Sequence, residues 1–152
     1  MQTHVPNKIT VHCAASPNGK KVPIENIRYD HIHNRGFEDI GYHVVIQPDG
    51  QVDLGRPFNF VGAHVEGHNV GNLGIMLIGT DKFTRAQFDA LRRTIDGILM
   101  TYSIRKSEIY CHNQFDTAQK QGKTCPNIPI NVLLCWYHEI VGEQAIAPYV
   151  LA

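Results

Sequence analysis

The chain has 152 residues, 43% of them hydrophobic, enough for one domain with a substantial core. Fourteen Lys and Arg balance fourteen Asp and Glu, so no net field draws the chain to nucleic acid or anionic lipid. There is no apolar run of about 18 residues and no basic-then-apolar N-terminus, which argues against a membrane span or a secretory signal. The expectation is a chain made in a reducing cytoplasm, with its four cysteines unpaired.

Lys8–Ala14 alternates with a period of two, like a half-buried strand. Ile9, Val11 and Cys13 share one face and Thr10, His12 and Ala14 the other. Pro23–Asn34 reads as a helix with Pro23 at its first position, Glu25 in its first turn and Gly36 as its stop. His31 and His33, two residues apart, cannot share a helix face and make a poor metal pair.

Gly41–Ile46 and Gln51–Leu54 flank Gln47-Pro-Asp-Gly50, in which proline presets φ and glycine supplies a positive φ. An antiparallel hairpin is predicted, with Tyr42 and His43 on opposite faces. Gly62–Asn69 is a loop dense in glycine and polar side chains. Leu73–Ile78 is continuously apolar, as in a central strand buried on both faces.

Thr84-Arg-Ala-Gln87 is a capping box. The helix behind it repeats Phe88, Leu91, Ile95, Ile98, Leu99 and Tyr102 at helical spacing. Glu108–Cys111 is a short strand that delivers His112 to an edge, and a polar loop leads from there to Cys125-Pro126. Asn131–Val141 is predicted as the last helix, with Leu133, Trp136, Tyr137 and Ile140 on one stripe and Gly142 ending it. Hairpins mixed with helices, without strict β-α alternation, predict an α+β fold: a single central mixed sheet flanked by about three helices.

Imidazole and thiolate are ligands that zinc prefers, and His112 and Cys125 lie in one stretch. A third ligand must come from elsewhere, and His12 is the candidate. There is no Cys-x-x-Cys pair, which disfavours a structural finger. Two histidines and one cysteine from distant segments fit the catalytic pattern, in which one coordination position stays open. Cys13, Cys111 and Cys135 are then expected as buried free thiols.

Five motifs occur in order: Val11-His-Cys-Ala-Ala-Ser16, Gly41-Tyr-His-Val-Val-Ile46, Gly62-Ala-His64 with Asn69 and Gly74-Ile75, Thr84-x-x-Gln87, and His112 followed by Lys123-x-Cys125-Pro126. Together they resemble the type 2 N-acetylmuramoyl-L-alanine amidases, the family of the T-odd phage lysozymes and the peptidoglycan recognition proteins. The resemblance runs from about Lys8 to Val141. It implies one Zn²⁺ per chain on His12, His112 and Cys125. It also implies catalytic roles for Tyr42, as a hydrogen-bonding residue, and for Lys123, beside the developing oxyanion. His64 and Asn69 would line the substrate groove.

The implied reaction is hydrolysis of the amide between N-acetylmuramic acid and the L-alanine of peptidoglycan. A phage endolysin is expected: a monomeric single catalytic domain, residues 1–152, with no separate wall-binding domain. It would be made in the host cytoplasm, act on the wall after release, and insert stably into no membrane. The alternatives are a non-catalytic peptidoglycan-binding module, an amidase toxin and a wall-recycling amidase. Two departures from the family pattern bear on substrate detail: the twelve residues between His112 and Cys125 make a long loop, and His68-Asn69-Val-Gly-Asn72 replaces a more usual Tyr-Asn-x-x-Ser.

Overall fold

Lys8–Cys13 forms strand β1 in the computed structural model, which describes residues 1–152. Its odd residues Ile9, Val11 and Cys13 enter the main core as expected. The even residues Thr10 and His12 are equally buried, so β1 is covered on both faces, not half-exposed. The cause is that both faces of the sheet are covered by packed elements, while the edges of β1 are paired. β1 pairs in parallel with β4 (Asn72–Leu77) on one side and with β5 (Ile109–Cys111) on the other.

The sheet has five strands in the order β3-β2-β4-β1-β5. β2 (Val44–Ile46) runs parallel to β4, and β3 (Val52–Leu54) closes the hairpin antiparallel to β2. The turn matches its sequence signal: Gly50 sits at φ 87° and donates its N–H to the Gln47 carbonyl at 2.8 Å. Both hairpin strands are shorter than predicted. β2 starts only at Val44, although the backbone bonding runs on beyond it: the His43 N–H donates to the Gly74 carbonyl at 3.0 Å and the His43 carbonyl accepts the Gly55 N–H at 2.9 Å. β4 occupies the middle of the sheet and is buried at every residue, as its apolar run predicts.

One face of the sheet carries helices α2 (Arg85–Tyr102) and α4 (Ile130–Tyr137) over a core built on Val11, Leu73, Ile75, Phe88, Leu91 and Trp136. The other face carries α1 (Ile24–His33) over Ile40, Val45, Met76 and Ile78. Pro23 lies one residue outside α1, with ψ 135°, so it precedes the first helical turn instead of opening it. Gly36, at φ 73°, turns the chain away as expected. His31 is buried while His33 is exposed against Tyr29, so the two do not converge.

The capping box does more than start α2. Thr84 Oγ1 accepts the Gln87 N–H at 3.1 Å, and Gln87 Oε1 accepts the Thr84 N–H at 2.9 Å. The buried Gln87 amide then donates to the Ile46 and Ile78 carbonyls at 3.1 and 2.8 Å, tying the helix start to the ends of two strands. At the other end of this layer, Arg92 donates to the Trp136 and Tyr137 carbonyls at 2.9 and 2.7 Å and stacks on the Trp136 ring. With its last carbonyls satisfied by a side chain, α4 ends at Tyr137. This shortens the helix predicted to Val141. Ile140 and Val141 are exposed, off the apolar stripe, and Gly142 opens a 3-10 segment, Gly142–Tyr149.

The predicted polar loop after His112 also contains structure. It forms a 3-10 turn (His112–Gln114) and a five-residue helix, α3 (Asp116–Lys120), which buries only Ala118. One apolar side chain leaves no periodicity to read.

Gln87→Leu keeps the volume but leaves the Thr84 N–H and two strand carbonyls without this partner. The expected cost is about 2–4 kcal/mol, read as a lower urea midpoint at an unchanged m-value.

Candidate metal centre and groove

His12 stands on the α1 side of β1, and His112 follows β5, the next strand over. Cys125 returns from the α3 segment, with the Asn113 N–H donating to its carbonyl at 3.0 Å. One ligand atom from each of His12, His112 and Cys125 lies within 4.8 Å of the other two. Residues separated by more than a hundred positions are thus brought together by two parallel strands and one returning loop. His31 and His33 take no part.

The donor set suits a divalent metal, which needs neutral imidazoles and a thiolate. Burial holds His12 well below the usual histidine range, with the charges of His64, His112 and Lys123 adding to it. Burial and then Lys123 bring His112 down to about 4. Both rings are therefore neutral at pH 7. Cys13 and Cys125 titrate as a pair: the hydrogen bond between their side chains brings Cys13 down to about 7 and, with burial, pushes Cys125 up, so a metal on Cys125 would have to displace its proton. The backbone N–H of Cys13 donates to Cys125 Sγ at 2.9 Å, a contact that favours the Cys125 thiolate but is outweighed by the side-chain hydrogen bond and burial.

Beside the cluster runs a groove of about 370 Å³ whose lining includes Tyr42, His64, Asn69, His112 and Lys123. Of the two residues that open the hairpin, Tyr42 faces His12: the rings stand 67° apart with centroids at 5.1 Å. Burial raises the Tyr42 phenol, so it keeps its proton. Lys123 is exposed, and its ammonium field is felt at both ligand histidines. Asn69 Oδ1 accepts the N–H groups of His64 and Val65, both at 2.9 Å, so this side chain also shapes its own loop.

The segment that carries α3 contributes Gln121 and Lys123 to the lining, and α3 itself pins that segment to the Gly62–Asn69 loop. Thr117 Oγ1 donates to the Glu66 carbonyl at 2.7 Å, His68 Nε2 meets Asp116 at 2.7 Å, and Gln121 bonds Glu66. The long His112–Cys125 segment thus clasps the Gly62–Asn69 loop. Arg35, Glu66 and Gln121 also line the groove and were not singled out from the sequence. Nothing in their local pattern separates them from solvated surface residues.

His43 packs edge-on against His64 and braces the sheet. Its Nε2–H donates to the Phe60 carbonyl at 2.8 Å and its Nδ1 accepts the Gly74 N–H at 3.0 Å. Burial lowers its pKa to about 4 from the ordinary 6.5. The unfolded chain therefore binds this proton more tightly than the folded one. Stability is whole above pH 6.5 and falls as the pH drops through 6.5 toward 4, by about 3 kcal/mol from this residue. In denaturant titrations across that window, His43→Gln should show a correspondingly shallower loss.

Cys111 is fully buried, with burial pushing its thiol up to about 12, and Cys13 lies in the same core. Cys135 is free like the others but only partly buried. Cys13 serves Cys125 through its backbone N–H, which survives any side-chain exchange. A Cys13→Ala, Cys111→Ala double variant should keep its metal content by elemental analysis and lose roughly 1–2 kcal/mol per site.

The family profile described as N-acetylmuramoyl-L-alanine amidase matches residues 2–128. The endolysin of Enterobacteria phage T3 is 35% identical over 130 residues, covering 80% of this chain and 81% of that protein. The endolysin of Escherichia phage T7 is 37% identical over 102 residues, 62% of this chain and 67% of that protein. Among solved structures, the N-acetylmuramoyl-L-alanine amidase LysC of Clostridium intestinale aligns with a TM-score of 0.72 at 28% identity, over 92% of this chain and 88% of that one. The complex of peptidoglycan recognition proteins LCa and LCx with tracheal cytotoxin shares the fold, with a TM-score of 0.71 at 24% identity over 82% of this chain and 78% of that one. With the profile spanning the sheet and all three clustered residues, the chain belongs to the N-acetylmuramoyl-L-alanine amidase family.

Proposed function

We propose that this chain is a zinc-dependent amidase that cleaves the bond between N-acetylmuramic acid and L-alanine in peptidoglycan, acting as a monomeric phage endolysin. The observation that carries the proposal is the convergence of His12, His112 and Cys125 within 4.8 Å beside a groove lined by Tyr42 and Lys123. A peptidoglycan-binding module would not need the cysteine. The endolysin names of the relatives favour the lytic role over a toxin or a recycling enzyme. No helix is long and apolar enough to cross a membrane.

Zinc held by these three side chains supplies Lewis acidity toward an amide carbonyl and toward water. The protein supplies the rest. Lys123 places fixed positive charge where the carbonyl oxygen of the lactyl group gains negative charge. Tyr42, kept protonated by burial, offers a hydroxyl donor beside His12 that orients the attacking water or passes a proton toward the leaving amine. Water adds across the C–N bond, leaving the lactyl carboxylate and the free amine of L-alanine. His64 and Asn69 line the groove in which the stem peptide lies.

Mass spectrometry of digested peptidoglycan should find muramyl lactyl carboxylates and new L-alanine amines; cleavage at any other bond refutes the assignment. The purified chain should carry one zinc, and Cys125→Ser should lose most of it, because a hydroxyl is a far poorer ligand than a thiolate. Tyr42→Phe and Lys123→Ala should keep the zinc and the fold while kcat drops by about 10²–10³.

A further inference from the structure

His64 makes two contacts that together set the chemistry of its neighbour. Its Nε2 lies 2.9 Å from the Asn72 carbonyl oxygen, and its Nδ1 lies 2.9 Å from Nε2 of His12. A carbonyl oxygen only accepts, so His64 Nε2 bears a hydrogen. A neutral imidazole carries one N–H, so His64 Nδ1 is an acceptor and His12 Nε2–H must donate to it. That leaves the lone pair of His12 on Nδ1. The opposite polarity would have His12 Nε2 accepting and Nδ1 protonated, with no lone pair left for a metal.

We propose that His64 is a positioning residue that holds His12 in its Nε2–H tautomer and thereby presents His12 Nδ1 to the metal. The inference rests on the zinc reading above and deepens it. It assigns His64 a task directed at the ligand, whereas both of its ring nitrogens are already engaged and offer the substrate no hydrogen bond.

The surroundings of His64 are built to keep this chain of bonds in place. The ring lies on Gly74 of β4, where a Cβ would come within 2.7–2.8 Å of its Cγ, Cδ2 and Nδ1. Gly62 also approaches it, with a Cβ there falling 2.8 Å from Cδ2. Only glycine at both positions lets the backbone approach this closely. The N–H of His64 is held by Asn69 Oδ1. The acceptor at the end of the chain is equally fixed. Asn72 is fully buried, takes the Thr10 hydroxyl at 2.8 Å and donates to the His68 carbonyl at 2.9 Å. Outer partners of this kind orient a ligating imidazole and fix its tautomer, and their loss typically weakens metal binding about 10–100-fold.

The test has two arms. Nitrogen-15 NMR of the unaltered, metal-free protein reads the His12 tautomer directly: Nε2–H is expected, and Nδ1–H overturns the proposal. Chelator competition then compares zinc affinity among variants. His64→Phe keeps a ring on Gly74 but has no acceptor, and should bind zinc about 10–100-fold more weakly. His64→Asn returns an acceptor oxygen near the Nδ1 position and should recover much of that loss. A folded His64→Phe that binds zinc as tightly as the wild type overturns the role of His64. A wild type that binds no zinc refutes instead the reading on which the inference stands, and the two failures are thereby told apart. The tautomer measurement does not depend on any variant folding.

Discussion

Burial of the inner strands on both faces is the constraint from which the rest of this molecule follows. β1 and β4 sit between other strands, with α2 and α4 on one side and α1 and the groove on the other. The first face is filled by aliphatic and aromatic side chains. On the second face Thr10, His12, His43 and Asn72 are polar and almost wholly removed from water. Such groups are tolerated only with partners. They find them in one another and in carbonyls of the neighbouring loops, and the site is assembled from that requirement.

Histidine suits this task because a neutral ring donates on one side and accepts on the other. The pattern recurs. His4 spans the Phe58 carbonyl and the Gly71 N–H, His43 spans the Phe60 carbonyl and the Gly74 N–H, and His64 spans the Asn72 carbonyl and His12. Each ring is a rigid two-ended strut between a loop and the sheet. Glycines at 62 and 74 provide the clearance where the backbones come closest. A candidate metal site framed by such struts is held in place by the protein itself, which is the kind of preorganisation a catalytic site needs.

Much of the framework was legible from local pattern. Period-two alternation separated Val11 from His12, the Pro-Asp-Gly turn announced the hairpin, the capping box started α2 at Arg85, and the apolar run from Leu73 marked the central strand. The errors fell where local pattern carries no information. α4 ends at Tyr137 because Arg92, forty-odd residues earlier, satisfies its final carbonyls. α3 forms with a single buried side chain and is held by the loop it clasps. The starts of β2 at Val44 and of β3 at Val52 are likewise marked by no change in the residue pattern.

For the site itself, the residue types and the order of the motifs pointed to His12, His112 and Cys125 as candidate ligands, since the chemistry of imidazole and thiolate is a property of each side chain wherever it sits. Composition likewise determined that no global charge directs this chain to nucleic acid. Only the tertiary structure decided that His12 Nε2 meets His64, that Cys13 contributes its backbone N–H, and that α3 clasps the Gly62–Asn69 loop. Tautomer, hydrogen-bond direction and clearance above a glycine depend on distances between segments that lie far apart in the chain. Those distances are set by strand register and loop packing, and a linear pattern of residues does not encode them one position at a time.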